Sequence, residues 1–169
     1  MGSLALSFSE AAWFLPLAAP ICFYVAWTDC RGMRIPNHAV LTLLAVFVII
    51  GPFVLPLSDY SWRLVHVVVI LLVGMILNAA GAVGAGDAKF AAAAAPFIAL
   101  PDMPFVLVLL AATVLAAFVT HRMAKHTKLR QLAPDWASWS SGADFPMGLA
   151  LGGTLAIYLA LGLILGTSG

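Results

Sequence analysis

Charge is what this chain has least of. Only 9% of its 169 residues are Asp, Glu, Lys or Arg, where a soluble domain carries about 25%. Too few charges are present to cover a water-soluble globule of this size. Cysteine is nearly absent as well: Cys22 and Cys30 are the only two, which leaves out a disulfide framework and a thiolate zinc site. Eight positions apart on one helix, they would stand about 12 Å apart along the axis, too far to bridge. No basic residue precedes Arg31, so the first apolar run lacks the cationic start of a cleaved signal peptide. Internal repeats, low-complexity tails and domain-sized linkers are also missing, and residues 1–169 are read as one domain. The four histidines, His38, His66, His121 and His126, are scattered, so no metal is assigned.

Apolar residues fill what remains, at 63% of positions with a mean hydropathy of +1.07. A bilayer is the solvent such a chain expects. The runs are long and unbroken rather than alternating, which selects helices over a transmembrane barrel. Six stretches stand out: Ala11 to Thr28, His38 to Leu55, Trp62 to Ala80, Asp87 to Leu100, Phe105 to Thr120, and Phe145 to Leu165. The expected fold is an all-α membrane protein, a polytopic bundle of six transmembrane helices. The fourth stretch is short, alanine-rich and interrupted by Pro96, which places it inside the bundle under its neighbours. The break over Gly81 to Gly86 is expected to enter membrane depth, where protein or a water cavity must cover it.

Six spans put both termini on one side. The connections after spans one, three and five then hold Arg31, Arg34, Lys89, Arg122, Lys125, Lys128 and Arg130, leaving only Arg63 near the opposite face. The positive-inside rule makes the first face cytoplasmic and leaves both termini outside. The stretch from His121 to Asp144 is read as a topology-setting loop with Trp136 and Trp139 as anchors; an interfacial helix on anionic lipid is the alternative.

Among the acids, Glu10, Asp59, Asp102, Asp135 and Asp144 fall at span ends or in connections, where a solvated carboxylate costs little. Asp29 and Asp87 differ. Asp29 closes the first span, in Trp27-Thr28-Asp29-Cys30-Arg31-Gly32-Met33-Arg34-Ile35-Pro36-Asn37; Asp87 opens the fourth, in Gly84-Ala85-Gly86-Asp87-Ala88-Lys89. Both belong to the same cytoplasmic boundary. An aspartate at mid-bilayer costs about 2.5 to 3.5 kcal/mol on insertion scales, and burial near the interface also needs a reason. Two carboxylates together at low dielectric cannot both ionise easily, and one holds the proton the other lacks. That pair can hydrolyse a peptide bond through water, with no serine or cysteine nucleophile. Which aspartate is acid and which base stays open, because a coupled dyad titrates as a unit. Gly84 and Gly86 permit a tight turn and close approach to an extended substrate, and set Asp87 at a helix N-terminus. Lys89 is either a charge partner or a snorkelling residue. Arg31 and Arg34 are topology determinants first. Asn37 is read as a cap for the second span before a substrate contact, and Gly148 with Gly152 as a tight-packing pair.

At these residues the sequence resembles the prepilin peptidase, or type IV leader peptidase, family. Its members carry an aspartate before an Ile-Pro-Asn turn, matched by Asp29 and Ile35-Pro36-Asn37, and a Gly-x-Gly-Asp-x-Lys motif, matched by Gly84 to Lys89. The run Pro146-Met147-Gly148-Leu149-Ala150-Leu151-Gly152 is similar to the family's Pro-Tyr-Gly-x-Ala-x-Ala-x-Gly, with Met147 in place of the aromatic residue. The resemblance implies an aspartyl endopeptidase that cuts leader peptides from type IV prepilins or pseudopilins at the cytoplasmic side of the bacterial inner membrane. It implies Asp29 and Asp87 as the catalytic pair, with Gly84, Gly86, Lys89, Arg31 and Asn37 toward the substrate. Without the paired Cys-x-x-Cys motifs of larger members, the chain looks like the short, peptidase-only form of tight-adherence (Flp) pili, and no methyl transfer is expected. No cofactor and no nucleic acid are expected; partners are leader peptides and membrane lipid, with a homodimer left open. Presenilin-like proteases share Gly-x-Gly-Asp but normally have nine spans and a Pro-Ala-Leu motif. The other rival is a membrane carrier or pilus-assembly factor using Asp29 and Asp87 as an ion or proton site.

Overall fold

Backbone polar groups in lipid must find partners within their own segment. In the computed structural model, which describes residues 3–142 and 144–167, the apolar runs accordingly fold as helices. The order is β1 (Leu4–Ser7), α1 (Phe8–Gly32), α2 (Asn37–Val54), α3 (Leu57–Ala79), α4 (Ala85–Ala94), α5 (Met103–Lys125), α6 (Met147–Leu165) and β2 (Gly166–Thr167). Among the described residues, five helices are long and apolar enough to cross a membrane: α1, α2, α3, α5 and α6. The chain is a polytopic helical membrane protein.

The fourth expected span differs. α4 has ten residues, or about 15 Å of helix against a hydrocarbon core of about 30 Å. Pro96, which has no N–H to donate, ends it. Two 3₁₀ turns, Ala95–Phe97 and Leu100–Asp102, carry the chain onward to α5. This path is covered, as its alanines suggest: Phe90, Ala92 to Ala95 and Phe97 are all buried. One short parallel pairing also departs from an all-helical reading. β1 lies beside β2, with Leu4 opposite Gly166 and Ser7 opposite Thr167. It holds both ends of the described chain on one face; Met1, Gly2, Ser168 and Gly169 lie outside the described residues.

The tightest helix pair is α1 with α6, whose backbones approach closely because α6 presents glycine to α1. A Cβ at Gly152 would stand 2.7 Å from the Cys22 carbonyl oxygen. At the centre, Phe14 of α1 meets Phe47 of α2 and Phe97, with ring centroids 5.6 and 5.0 Å apart.

Two acids that sequence position marks as ordinary boundary residues are buried. Glu10 and Asp102 are 8% and 6% exposed. Arg63 of α3 donates to Glu10 Oε2 at 2.8 Å inside the bundle. Asp102 accepts from the N–H groups of Ala5 and Leu6 at 2.8 and 2.9 Å and from the Tyr158 hydroxyl at 2.7 Å. Partners distant in sequence offset the cost of both burials. Asp59, Asp135 and Asp144 are exposed as expected. The connection after α5 forms short 3₁₀ turns, Lys128–Leu132 and Ala137–Trp139. Trp139 is buried, stacks on His121 with centroids 4.8 Å apart, and donates from Nε1 to the Ala133 carbonyl at 2.7 Å. The connection is therefore a loop of short turns without an α-helix among its described residues, and Trp139, expected as an interfacial anchor, is instead packed into the protein.

Candidate active site

Three segments meet where α1 ends. Asp29 lies four residues before Met33, which closes α1 in the left-handed region at φ 51° and donates its N–H to the Asp29 carbonyl at 2.8 Å. That turn sends Arg34 to Asn37 across the end of the bundle. The Asp29 side chain is 6% exposed because the start of α6 covers it. Gly148 N–H donates to Asp29 Oδ2 at 2.7 Å, a charge-assisted bond at a helix N-terminus. A Cβ at Gly148 would stand 2.9 Å from Asp29 Cβ and 3.0 Å from Oδ2, so the absence of a side chain there is what admits the carboxylate. Sequence alone assigns Gly148 to packing; its N–H is also the hydrogen-bond donor to Asp29.

The second carboxyl comes from the start of α4. α3 ends in a Schellman-type turn at Gly81, φ 74°, with Gly81 N–H donating to Asn78 O and Ala82 N–H to Leu77 O. The Asn78 side chain donates to the Val83 carbonyl at 2.8 Å. The chain then enters α4 with Gly84 as N-cap and Asp87 in the first turn, as the motif suggests. A Cβ at Gly84 would stand 2.6 Å from Asp87 Oδ2. Asp87 lies outside the five spanning helices and is half-buried. Burial pushes its pKa from 3.8 up to about 6, the negative Asp29 adds to the rise, and the Gly84 backbone opposes it.

Asp29 and Asp87 line one cavity of about 500 Å³. Its walls include Met33 to Asn37, Gly84 to Gly86, Phe145 and Met147. All three sequence motifs therefore converge on one open, partly polar space. Chemically, it offers one carboxyl that keeps its proton to a higher pH than an ordinary aspartate beside another held by a backbone donor, the arrangement general acid–base chemistry uses.

The other singled-out residues divide. Gly86 lies against Ile35, where a Cβ would stand 3.3 Å from Ile35 Cβ. Asn37 lines the cavity but caps nothing: Pro36 is the N-cap of α2 and makes no side-chain cap bond. Asn37 Oδ1 instead accepts from Lys89 Nζ at 3.2 Å. Lys89 does not line the cavity, and neither does Arg31, whose guanidinium sits 5.4 Å from the centre of the Trp27 ring. Arg34 takes the place at the wall expected for Arg31. Sequence reasoning misses Met33, Arg34, Phe145 and Met147 as site residues; adjacency to the motifs is the signal that marks them. Among the described residues, no three of His, Cys, Asp and Glu gather as a metal site requires.

A model of the type IV leader peptidase family matches residues 17–121, well over half of the chain. The match takes in both aspartates and stops before the Pro146 to Gly152 run. Comparison with curated proteins found no match, and comparison with solved structures found none either. With both motifs inside the match and five apolar helices around them, the chain belongs to the type IV leader peptidase family and is a multi-pass membrane peptidase.

Proposed function

We propose that Asp29 and Asp87 form the catalytic dyad of an aspartyl endopeptidase that removes leader peptides from type IV prepilins of the Flp kind, at the cytoplasmic face and without methylating the new N-terminus. The observation that carries this reading is the meeting of the two carboxyls in one cavity, between Met33 to Asn37 and Gly84 to Gly86. One carboxylate takes a proton from water as its oxygen attacks the scissile carbonyl carbon, and the protonated partner donates to the carbonyl oxygen. Collapse of the tetrahedral adduct breaks the C–N bond. The nitrogen leaves with a proton, giving a leader carboxyl and a free amine. The Gly148 N–H steadies Asp29, and the raised pKa of Asp87 supports a shared proton. The cytoplasmic assignment is supported by Arg31, Arg34 and the basic residues after α5 lying at this end.

The test compares wild type with Asp29→Asn and Asp87→Asn on a prepilin in membranes. Asparagine keeps the size and removes the proton chemistry. Loss of cleavage in both variants at normal expression is expected. Persistent cleavage in either ends the dyad assignment and favours an ion or proton site.

A further inference from the structure

A row of aromatic rings runs from the connection after α5 to the wall of the catalytic cavity. Trp136 stacks on Trp139 with centroids 5.5 Å apart, and Trp139 stacks on His121 of α5 at 4.8 Å. His121 in turn meets Phe145 edge to face at 5.9 Å, and Phe118 of α5 lies against the same ring at 5.8 Å. Phe145 lines the cavity that holds Asp29 and Asp87. The far end of the row is held by hydrogen bonds. Trp139 Nε1 donates to the Ala133 carbonyl at 2.7 Å, and the Ser141 hydroxyl donates to the Asp144 carbonyl at 2.9 Å. His121 and Trp139 are buried, although neither lines the catalytic cavity.

This row abuts the part of the site with the least support of its own. α6 starts after Pro146, which makes no side-chain cap bond, so the cap does not fix the first turn. Yet the Gly148 N–H stands 2.7 Å from Asp29 Oδ2, in a contact too close for a methyl group. Phe145 comes three residues before Gly148, and its ring ties this end of α6 to α5. We propose that His121 and Trp139 are positioning residues, whose stack acts through Phe145 to hold the start of α6 where the Gly148 N–H meets Asp29. The proposal rests on the aspartyl-peptidase reading and adds to it two residues outside the cavity. Edge-to-face and stacked rings prefer defined separations, so the row sets a position as well as burying apolar surface. Position is what the chemistry needs: a displacement of about 1 Å at a reacting group can cost a hundredfold in rate.

The experiment uses the full chain with His121→Leu, Trp139→Leu and His121→Phe, which keeps a ring in the row. Thr113→Val is the control: it breaks the 2.6 Å bond between Thr113 of α5 and Thr154 of α6, loosening the same helix pair away from Phe145. Prepilin cleavage in vesicles gives kcat and KM, and NMR of the glycine-labelled protein in micelles follows the Gly148 amide, assigned by its loss in Gly148→Ala. Both leucine variants are expected to lose roughly tenfold or more in kcat with KM little changed. Their Gly148 amide signal is expected to move toward its place in Asp29→Asn, where the carboxylate acceptor is gone. His121→Phe and Thr113→Val should keep the wild-type kcat and signal. Wild-type kcat or an unmoved Gly148 signal in both leucine variants overturns the proposal. So does a loss in His121→Phe equal to that in His121→Leu, or an equal loss in Thr113→Val. Failure of the wild-type chain to cut prepilin counts instead against the peptidase reading, and the Gly148 signal still decides whether the stack holds α6.

Discussion

Asp87 has Asp29 as its charged neighbour, and the charge each carries depends on the other. Burial and the negative Asp29 raise Asp87 to about 6. Replacing Asp29 by Asn removes the like charge and leaves the burial, so Asp87 should titrate at lower pH in Asp29→Asn than in wild type, yet still above 3.8. Isotope-edited infrared spectroscopy of the aspartic C=O stretch reads this directly, and it needs no activity from the variant. A midpoint that stays put would mean the two carboxyls do not sense each other. Gly148 permits a second measurement. A methyl there meets Asp29 Cβ at 2.9 Å and displaces the carboxylate from its backbone donor, so Gly148→Ala should lower cleavage by roughly tenfold or more, about 1.4 kcal/mol of transition-state stabilisation. Gly153, on the same helix, has no atom within 4 Å of where a Cβ would stand and should tolerate alanine. Equal losses at both positions would assign the effect to α6 as a whole. The aspartates and the turn glycines were legible in the sequence because their spacing forms a motif. The Gly148 contact was not, since it joins residues 119 positions apart.

Among the helices, buried charge follows the same logic. Glu10 of α1 and Arg63 of α3 pair at 2.8 Å with both side chains largely hidden. Removing one partner leaves the other charge uncompensated, a loss of about 3 to 5 kcal/mol for a buried pair. Glu10→Ala should therefore lower the thermal midpoint of the purified protein clearly, whereas Asp59→Ala, on an exposed residue of α3, should not. A scan by intrinsic tryptophan fluorescence in one detergent compares them, and matching midpoints would contradict the structural weight given to the pair. Helix positions were legible because hydropathy alone decides what crosses lipid: the run from His38 to Leu55 became Asn37–Val54, and Phe145 to Leu165 became Met147–Leu165. α4 was legible as a covered element, but its stop at Ala94 was not, because a proline two residues later ends a helix only when the tertiary path lets it turn. Glu10 and Asp102 escape a sequence reading for a related reason. Position at a span end tells how near water is, and nothing about whether an arginine on α3 or the backbone of β1 waits on the inner side.

For the molecule as a whole, the remaining question is orientation, and charge distribution argues for one answer. Pairing of β1 with β2 holds both described ends on one face. Arg63 lies toward that face, near the start of α3, beside Glu10. Arg31, Arg34, Lys89, Arg122, Lys125, Lys128 and Arg130 lie toward the other end, the end of Asp29 and Asp87. An imbalance of seven to one in Lys and Arg is what the positive-inside rule reads as cytoplasmic. The native cysteines make the test clean, because Cys22 and Cys30 are 2% and 3% exposed and give little background with a water-soluble maleimide. Ser58→Cys places an exposed thiol at the start of α3, and Thr127→Cys places one just beyond α5. In intact cells Ser58→Cys should label from outside, and Thr127→Cys only after the membrane is made permeable. The reverse pattern would put the dyad on the outer face, and leader removal would then have to follow translocation of the leader across the bilayer.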